Sequence, residues 1–524
     1  MNVVHLLLDD AGWGDLGSFN GHPNAPVLPN PPAPPPSPSI PGPWYDARDR
    51  VHHLHNLTQA YTPNMDALAK GGTVFADFHS AGAVCSPSRV GWVTGRVPAT
   101  LGVHNIWQKD DASAQRVGMP NWLNTSVHHV ARLLRDGGGY SCAHYGKWSH
   151  GIHPDSPSPG VYGYDDAAVF SAPPGLWPPP ASASAFRLLG DPADPWWAAN
   201  SSAAIVTETL AHAARAAAAG KPFYVSAWFH VPHIFLDPSP AQLARYPAAA
   251  TCGPLATGQG TCQKRIYWAA LSDADAQIGR LVAGLHALGG AAAERTLLLL
   301  SSDNGPAVAT HNVDGQGSAG PFRGRKGSLY EGGTRAPLIA RCPGCGVAAG
   351  AVDRTSVFGA VDWLPTVAKL AGVELPAADL AALDGVDASA ALLGGGAAGW
   401  VRPADKPLRW DYRFTQPGQC WDNAPQMAVR QGELKLLANL DGSRTELYRL
   451  PAGCGSNSSA GAVALGNGCF EGDNLASRPE YNQTLQKMLP ELLAWGRQLP
   501  VSPQSDEPHP ACAAWMCLQT GACL

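Results

Sequence analysis

Arg295-Thr296-Leu297-Leu298-Leu299-Leu300-Ser301-Ser302 runs straight into Asp303-Asn304-Gly305-Pro306. An unbroken apolar run of this length, without alternation, reads as a strand buried on both faces, as in a parallel sheet. In open α/β sheets, functional groups gather beyond the carboxyl ends of the strands. Three other stretches repeat the arrangement. Asn2 to Leu8 ends in Asp9-Asp10-Ala11-Gly12-Trp13-Gly14-Asp15. Tyr140 to Tyr145 ends in Gly146-Lys147-Trp148-Ser149-His150-Gly151, and Lys221 to Phe229 ends in His230-Val231-Pro232-His233. Helical spacing lies between them at 127–135, 203–219 and 267–288, the first stopped by Gly137-Gly138-Gly139. The fold class that follows is α/β, a large mixed and mostly parallel sheet flanked by helices.

Two adjacent carboxylates such as Asp9 and Asp10 repel unless a cation or strong donors neutralise them. Asp303 and Asn304 add oxygens of the kind a hard cation accepts. Asp9-Asp10 alone reads better as a solvated turn, and Asp303-Asn304 alone reads well as an Asx turn.

The chain of 524 residues is long enough for two domains with separate cores. With 36 basic and 41 acidic residues its net charge is −5, which leaves no basic footprint for nucleic acid or an anionic membrane. No apolar run approaches the ~18 residues of a membrane span. Twelve cysteines and five Asn-x-Ser/Thr sequons, at Asn56, Asn124, Asn200, Asn457 and Asn482, favour a secretory route. Cys252/Cys262 and Cys454/Cys469 are candidates to close short loops, and Cys342-Pro-Gly-Cys345 a tight bridge, since the second CxxC of a zinc site is missing. An apolar strand that starts at residue 2 with no signal peptide ahead of it implies, for a secreted enzyme, an N-terminal segment missing from this sequence.

Residues 1–376 read as one large domain carrying a Pro-rich insertion at 27–43, centred on Pro34-Pro35-Pro36. His52, His53 and His55 read as a solvated loop before Thr62-Pro63-Asn64, where Pro63 is placed to open a helix. Residues 377–399 are small and linker-like. Within 400–500, alternating runs at 426–430 and 434–440, followed by Glu446-Leu447-Tyr448, predict a small antiparallel sheet. A helix over 481–499, bent at Pro490, would pack on it. The tail 501–524 carries Cys512, Cys517 and Cys523. Trp177, Trp196, Trp197 and Trp421 read as packing residues that could also stack on a ring.

Cys85-Ser86-Pro87-Ser88-Arg89-Val90-Gly91-Trp92-Val93-Thr94-Gly95 is the most specific string in the chain. Its turn-forming start opens onto a helix, with Cys85 and Arg89 near anion-welcoming amides. Cys-x-Pro-Ser-Arg, four residues, then Thr-Gly resembles the signature of the type I, formylglycine-dependent sulfatases, arylsulfatase-like, in which the Cys is oxidised. Arg323-Gly324-Arg325-Lys326-Gly327-Ser328-Leu329-Tyr330-Glu331-Gly332-Gly333-Thr334-Arg335 resembles that family's second signature.

The resemblance implies an alkaline-phosphatase-like fold and a sulfuric ester hydrolase acting on a sulfated small molecule or carbohydrate. It makes Asp9, Asp10, Asp303, Asn304 and the modified residue 85 ligands of one Ca2+ ion. Arg89 would steady residue 85, Lys147 and Lys326 would bind sulfate, and His233 would face the substrate and protonate the leaving alcohol, with His230 a structural neighbour. A formylglycine-generating enzyme is the implied maturation partner, and the secretory pathway, extracellular or lysosome-like, the implied location. Where the family shows Gly-Lys-Trp-His-Leu-Gly, this chain has Ser149, with His150 one place late and His153 further on. A one-residue shift on extended chain turns a side chain to the other face, so His150 does not inherit the histidine's role automatically. Arg323 and Arg325 read as solvated or paired with a carboxylate, and Asp15 as serving its turn. The hard oxygen set itself favours oxidation, because calcium accepts an aldehyde hydrate and not a soft thiolate. Alternatives are a phosphate or phosphonate hydrolase of the same superfamily, a silent carbohydrate-binding homologue, and a cysteine hydrolase pairing Cys85 with His233.

Overall fold

The computed structural model describes residues 1–20, 60–170, 187–189, 194, 197–234, 236–246, 263–307, 316–394, 399–413, 424–451 and 471–500. Its strands are β1 (Asn2–Leu8), β2 (Thr73–Phe75), β3 (Phe78–His79), β4 (Ser141–Lys147), β5 (Asp166–Phe170), β6 (Phe223–Trp228), β7 (Thr296–Ser302), β8 (Leu338–Arg341), β9 (Ala351–Asp353), β10 (Phe358–Gly359), β11 (Leu408–Asp411), β12 (Met427–Gln431), β13 (Leu434–Ala438) and β14 (Glu446–Arg449).

The leucine run forms β7, and its residues divide between two cores. Leu297 and Leu299 pack on one side with Val3, Leu7 and Trp228; Leu298 and Leu300 pack on the other with Val4, Leu6 and Val225. Covering both faces is what an unalternating apolar strand requires. The first core is closed by the helices Cys85–Thr94, Val130–Gly138 and Trp363–Ala371, the second by Pro63–Lys70, Trp197–Ala218 and Gln263–Leu288. Pro63 does open its helix.

The large sheet has the order β5-β4-β6-β1-β7-β8-β2-β9. All its neighbours are parallel except β8, which runs antiparallel to β7 and to β2. The four strands β4, β6, β1 and β7 therefore finish along one edge. Leu7 pairs with Trp228, Trp228 with Gly146, and Leu8 with Ser302, so Asp9 and Asp303 lie just beyond the last pairs, and Lys147 ends β4 beside them, paired with Phe170 of β5.

The predicted small sheet is present, in the order β11-β12-β13-β14 and antiparallel throughout. The helix Asn482–Gln498, with Pro490 inside it, packs Met488 and Leu492 against Met427, Leu436 and Leu447. The linker-like reading of 377–399 needs correcting for its described part. It holds short helices at Ala377–Ala382 and Ser389–Gly394, and Leu383, Ala388 and Leu392 are buried in the first core. Small residues allow that close packing as readily as they allow a free strap.

Cys342 and Cys345 are joined by a disulfide, while Cys85 and Cys142 are buried thiols. The bridges expected at Cys252/Cys262 and Cys454/Cys469, the insertion at 27–43, His52, His53 and His55, Trp177, Trp196, Trp421 and the tail 501–524 lie outside the described residues. Among the described residues, no helix is long and apolar enough to cross a membrane.

Candidate active site

The helix carrying Cys85 starts at that residue, so the thiol sits in the first turn. All ten of its residues are buried, and Gly95, at φ 67°, ends it in the left-handed conformation that favours glycine. At Gly91 an added Cβ would lie 2.1 Å from the Cβ of Ala81, so the helix lies flush on the chain before it.

Three strand tips converge on this helix. Cys85 Sγ lies 3.4 Å from Asp9 Oδ1 and 3.9 Å from Asp10 Oδ1. Asp9, Asp10, Asp303 and Cys85 each place a ligand atom within 4.8 Å of the others, and all four are buried. Asp10 adopts φ 67°, an uncommon backbone for a residue with a side chain, and its N–H donates to Asp303 Oδ1 at 3.1 Å. Asn304 Nδ2 donates to Asp10 Oδ1 at 2.7 Å, which leaves Asn304 Oδ1 buried without a donor. The two acidic motifs, almost 300 residues apart, thus occupy one site.

Three cations face the three carboxylates. Arg89 reaches Asp303 Oδ2 at 2.7 Å and Asp9 Oδ1 at 3.4 Å, its guanidinium 5.1 Å from the centre of the Trp228 ring. Lys147 Nζ is 2.5 Å from Asp9 Oδ2 and Lys326 Nζ is 2.7 Å from Asp10 Oδ2. Burial would raise the Asp9 and Asp10 carboxyls, but the charges of Lys147 on Asp9 and Lys326 on Asp10 overcome it and hold both below the usual range. Burial wins at Asp303, whose carboxyl is raised despite Arg89. Burial also pushes the Cys85 thiol well above its ordinary value, although both lysines pull the other way.

His233 Nδ1 donates to the Ile234 carbonyl at 2.6 Å, so the ring turns Nε2 toward Asp10 Oδ2, 3.7 Å away. Burial and the two lysine charges lower its pKa to about 3, against the pull of Asp10. His230 lies beside it, with ring centres 5.7 Å apart, and packs on Phe170 and Trp197. A second ligand-distance group, Asp9 with His230 and His233, brings His230 nearer to the site than a purely structural neighbour would be.

His150 does not join this cluster. Its ring stacks on Trp148 at 4.2 Å, and its Nε2 lies 2.8 Å from His129 Nε2. His129 Nδ1 accepts from the Ala131 N–H, so His129 donates from Nε2 and His150 accepts. Burial depresses both pKa values well below the ordinary range. The shift of one residue therefore sends the histidine into the aromatic core, as alternation on extended chain dictates. Ser149 is buried, and its carbonyl accepts from Trp107 Nε1 at 2.7 Å while the Trp107 N–H donates to Ser86 Oγ at 3.2 Å. Trp107 so ties the Cys85 turn to the Lys147 strand, a role that no sequence motif announced. His153 is 3.5 Å from Asp111 and 5.9 Å between ring centres from Trp122. Trp197 packs on Phe170. Asp15 serves its turn, accepting from Gly12 N, Ser318 N and Tyr267 Oη. Arg325 donates to the carbonyls of Ala307 and Gly317, and Arg323 stacks 3.7 Å from the centre of the Tyr330 ring and donates to Tyr448 Oη.

A buried thiol faces a carboxylate cluster with two lysines beside it, an arrangement suited to an anionic ester, and the comparisons give the chain its family. The chain belongs to the sulfatase family, whose model matches residues 1–373. It is similar to arylsulfatase A of Bos taurus, 29% identical over 422 residues, or 75% of this chain and 68% of that one. N-acetylgalactosamine-6-sulfatase of Canis lupus familiaris is 28% identical over 412 residues, 75% of this chain and 66% of that one. The fold is similar to that of Ps i-CgsB, solved in complex with k-i-k-neocarrahexaose, with a TM-score of 0.65 at 20% identity, covering 99% of this chain and 96% of that one. The protein is a sulfatase, an enzyme that hydrolyses sulfate esters.

Proposed function

We propose that this sulfatase cleaves aryl or carbohydrate sulfate monoesters, using a formylglycine made from Cys85 by a formylglycine-generating enzyme, next to one calcium ion. One observation carries the reading: Asp9, Asp10 and Asp303 surround residue 85 within 4.8 Å while Lys147 and Lys326 approach from the side. The donor set fits a hard cation. It consists of carboxylate oxygens and the undonated Asn304 Oδ1, and the raised thiol is neither a thiolate nor a hard ligand. The same raised thiol, with His233 facing Asp10, argues against a cysteine nucleophile.

In this mechanism the aldehyde hydrate and the ion supply an oxygen nucleophile and a Lewis acid. Arg89, fixed by Asp303 and Trp228, holds position at residue 85. Lys147 and Lys326 exchange their carboxylate partners for sulfate oxygens and offset the charge that grows in the transition state. Their side chains are 11% and 17% exposed, unlike the sealed carboxylates. His233 presents Nε2 to the leaving oxygen, where it would deliver a proton taken up from solvent once bound sulfate offsets the two lysine charges that keep the ring neutral. The substrate is a sulfated small molecule or carbohydrate. The relatives' printed activities, on aryl and N-acetylgalactosamine sulfates, and the oligosaccharide bound to Ps i-CgsB support both classes. A secretory location is supported by the Cys342–Cys345 bridge and by exposed asparagines at the three described sequons, Asn124, Asn200 and Asn482.

Peptide mass spectrometry at position 85 tests the modification directly, and Cys85→Ser is expected to leave a folded protein with turnover of p-nitrophenyl sulfate down on the order of 10³-fold or more. An unmodified thiol in fully active enzyme would sink the scheme. Faster turnover of the phosphate or phosphonate ester than of the sulfate would move the protein to the alternative hydrolase class. Confirmed formylglycine without hydrolysis of any sulfate ester would leave only a binding role.

A further inference from the structure

A second group of buried charges stands behind the site, and three of its seven side chains come from the C-terminal unit: Arg430 and Lys435 from the small sheet and Glu471 after it. Lys435 of β13 reaches Glu331 Oε1 at 2.8 Å and Glu471 Oε1 at 3.1 Å. Glu471 Oε2 accepts the Glu331 N–H at 2.6 Å. Arg430 of β12 grips Asp77 at 2.6 and 2.8 Å, and Arg335 joins Asp77 (2.5 Å) to Glu331 (2.6 Å). His79 Nε2 completes the set, 3.1 Å from Glu331. All of these side chains are at most 1% exposed.

The turn that this group grips also holds the catalytic loop. Gly332 N–H donates to Arg323 O at 2.6 Å, closing residues 323–332 into one loop, and Gly305 N–H, next to Asn304, donates to Gly333 O at 3.0 Å. Inside the loop Lys326 N–H donates to Pro306 O at 3.0 Å, and Gly327 N–H to Ala83 O at 2.7 Å, two residues before Cys85. Arg323 fastens the near end, donating to Tyr448 Oη at 3.1 Å and Glu471 O at 3.0 Å. Tyr330 and Tyr448 both donate to Glu446 Oε2 at 2.8 Å. Holding two domains together needs no such arrangement, because apolar side chains of similar volume in place of buried ion groups often stabilise as well or better. What directed ion pairs add is a defined position.

We propose that Lys435, Arg430 and Glu471 of the C-terminal unit are positioning residues that set where Lys326 and Asn304 stand, so that the small sheet is a working part of the sulfate site from behind. This rests on the assignment of Lys326 to sulfate. Lys435→Met keeps the chain length and removes the charge. In the folded variant, with formylglycine occupancy at position 85 unchanged by mass, kcat/KM for p-nitrophenyl sulfate is expected to fall about 10²-fold, the scale of a small misplacement of catalytic groups. The inhibition constant of inorganic sulfate is expected to rise about tenfold, and Lys435→Arg to recover most of both losses. Arg449→Ala, on the same sheet in an exposed pair with Glu433, leaves both values at wild type.

A folded Lys435→Met protein with wild-type sulfate inhibition and kcat/KM overturns the proposal. Should that variant not fold, Tyr448→Phe decides: removing the acceptor of Arg323 is expected to weaken sulfate inhibition several-fold, and no change overturns the proposal equally. Lys326→Ala separates the two levels. Full activity and sulfate affinity in that variant would remove the functional reading itself, whereas their loss beside a normal Lys435→Met would remove this inference alone.

Discussion

Two buried charge clusters in this protein have the same formal content and opposite character. The one at the strand tips sets Asp9, Asp10 and Asp303 against Arg89, Lys147 and Lys326; the one behind it sets Asp77, Glu331 and Glu471 against Arg335, Arg430 and Lys435. In the rear cluster each of the Asp77 and Glu331 carboxylates meets at least two cations, and water is excluded from every member. In the front cluster two cations and His233 keep one side toward solvent, an amide oxygen goes unused, and Asp10 sits in a strained backbone. Charge parity alone therefore does not tell a working site from a structural one. The difference lies in whether the acceptors are consumed by their neighbours or left aimed at a common point.

Substitutions that treat the clusters alike would blur that contrast, and the largest expected separation is at lysine. Lys326→Ala should lower turnover by about 10²–10³-fold, the loss typical of a transition-state donor, with a smaller loss of stability than at Lys435, because this side chain is 17% exposed and water can reach its place. Lys435→Met should instead cost about 3–5 kcal/mol of unfolding free energy, because it strands a sealed carboxylate. Equal stability losses in the two would end the distinction. A smaller effect is expected in the pH profile. Burial and the charge of Glu331 raise the Glu471 carboxyl to about 7 against the pull of Lys435. From the ordinary glutamate value of 4.5 up to about 7, the folded protein holds a proton that the unfolded chain has released. Stability from this group is thus full below that window and is lost as pH rises through it. Around Glu471 stand Lys435, Glu331, Arg323 and Arg430, and Glu471→Gln should flatten the fall in melting temperature between pH 5 and pH 7. A slope unchanged in the variant would assign it elsewhere. Arg449→Ala, in a pair 60% and 48% exposed, should change stability by less than about 1 kcal/mol in urea titration.

The front cluster was largely legible in the sequence because its three carboxylates and Lys147 stand at strand ends, while Arg89 and Lys326 lie in the two most specific strings of the chain. A buried apolar run announces itself, and Asp9-Asp10 and Asp303-Asn304 stand where such runs stop. The rear cluster was not legible. Arg430 and Lys435 lie in alternating strands of the small sheet, where a charged position reads as the solvated face, and only the packing of that face against Asp77, His79 and Glu331 buries it. Glu471 follows no pattern at all. Arg323 was expected in water or on a carboxylate; it lies 4.0 Å from Glu446 Oε2 and also against two tyrosines, which no motif announced. His150 shows the reverse case: the motif suggested a role, and the backbone alternation carried the ring elsewhere. The small residues of 377–399 read as slack, whereas in the fold they allow tight packing.

The hydrogen at Gly91 has a mechanical consequence. Because the helix of Cys85 rests there on Ala81 with no clearance, any side chain at that position would act as a wedge under one end of a rigid rod. The rod would pivot and swing residue 85 out of register with the tips of β1 and β7, although every group that does chemistry remained in place in the sequence. The alignment of residue 85 is in this sense set by a missing methyl group six residues away from it.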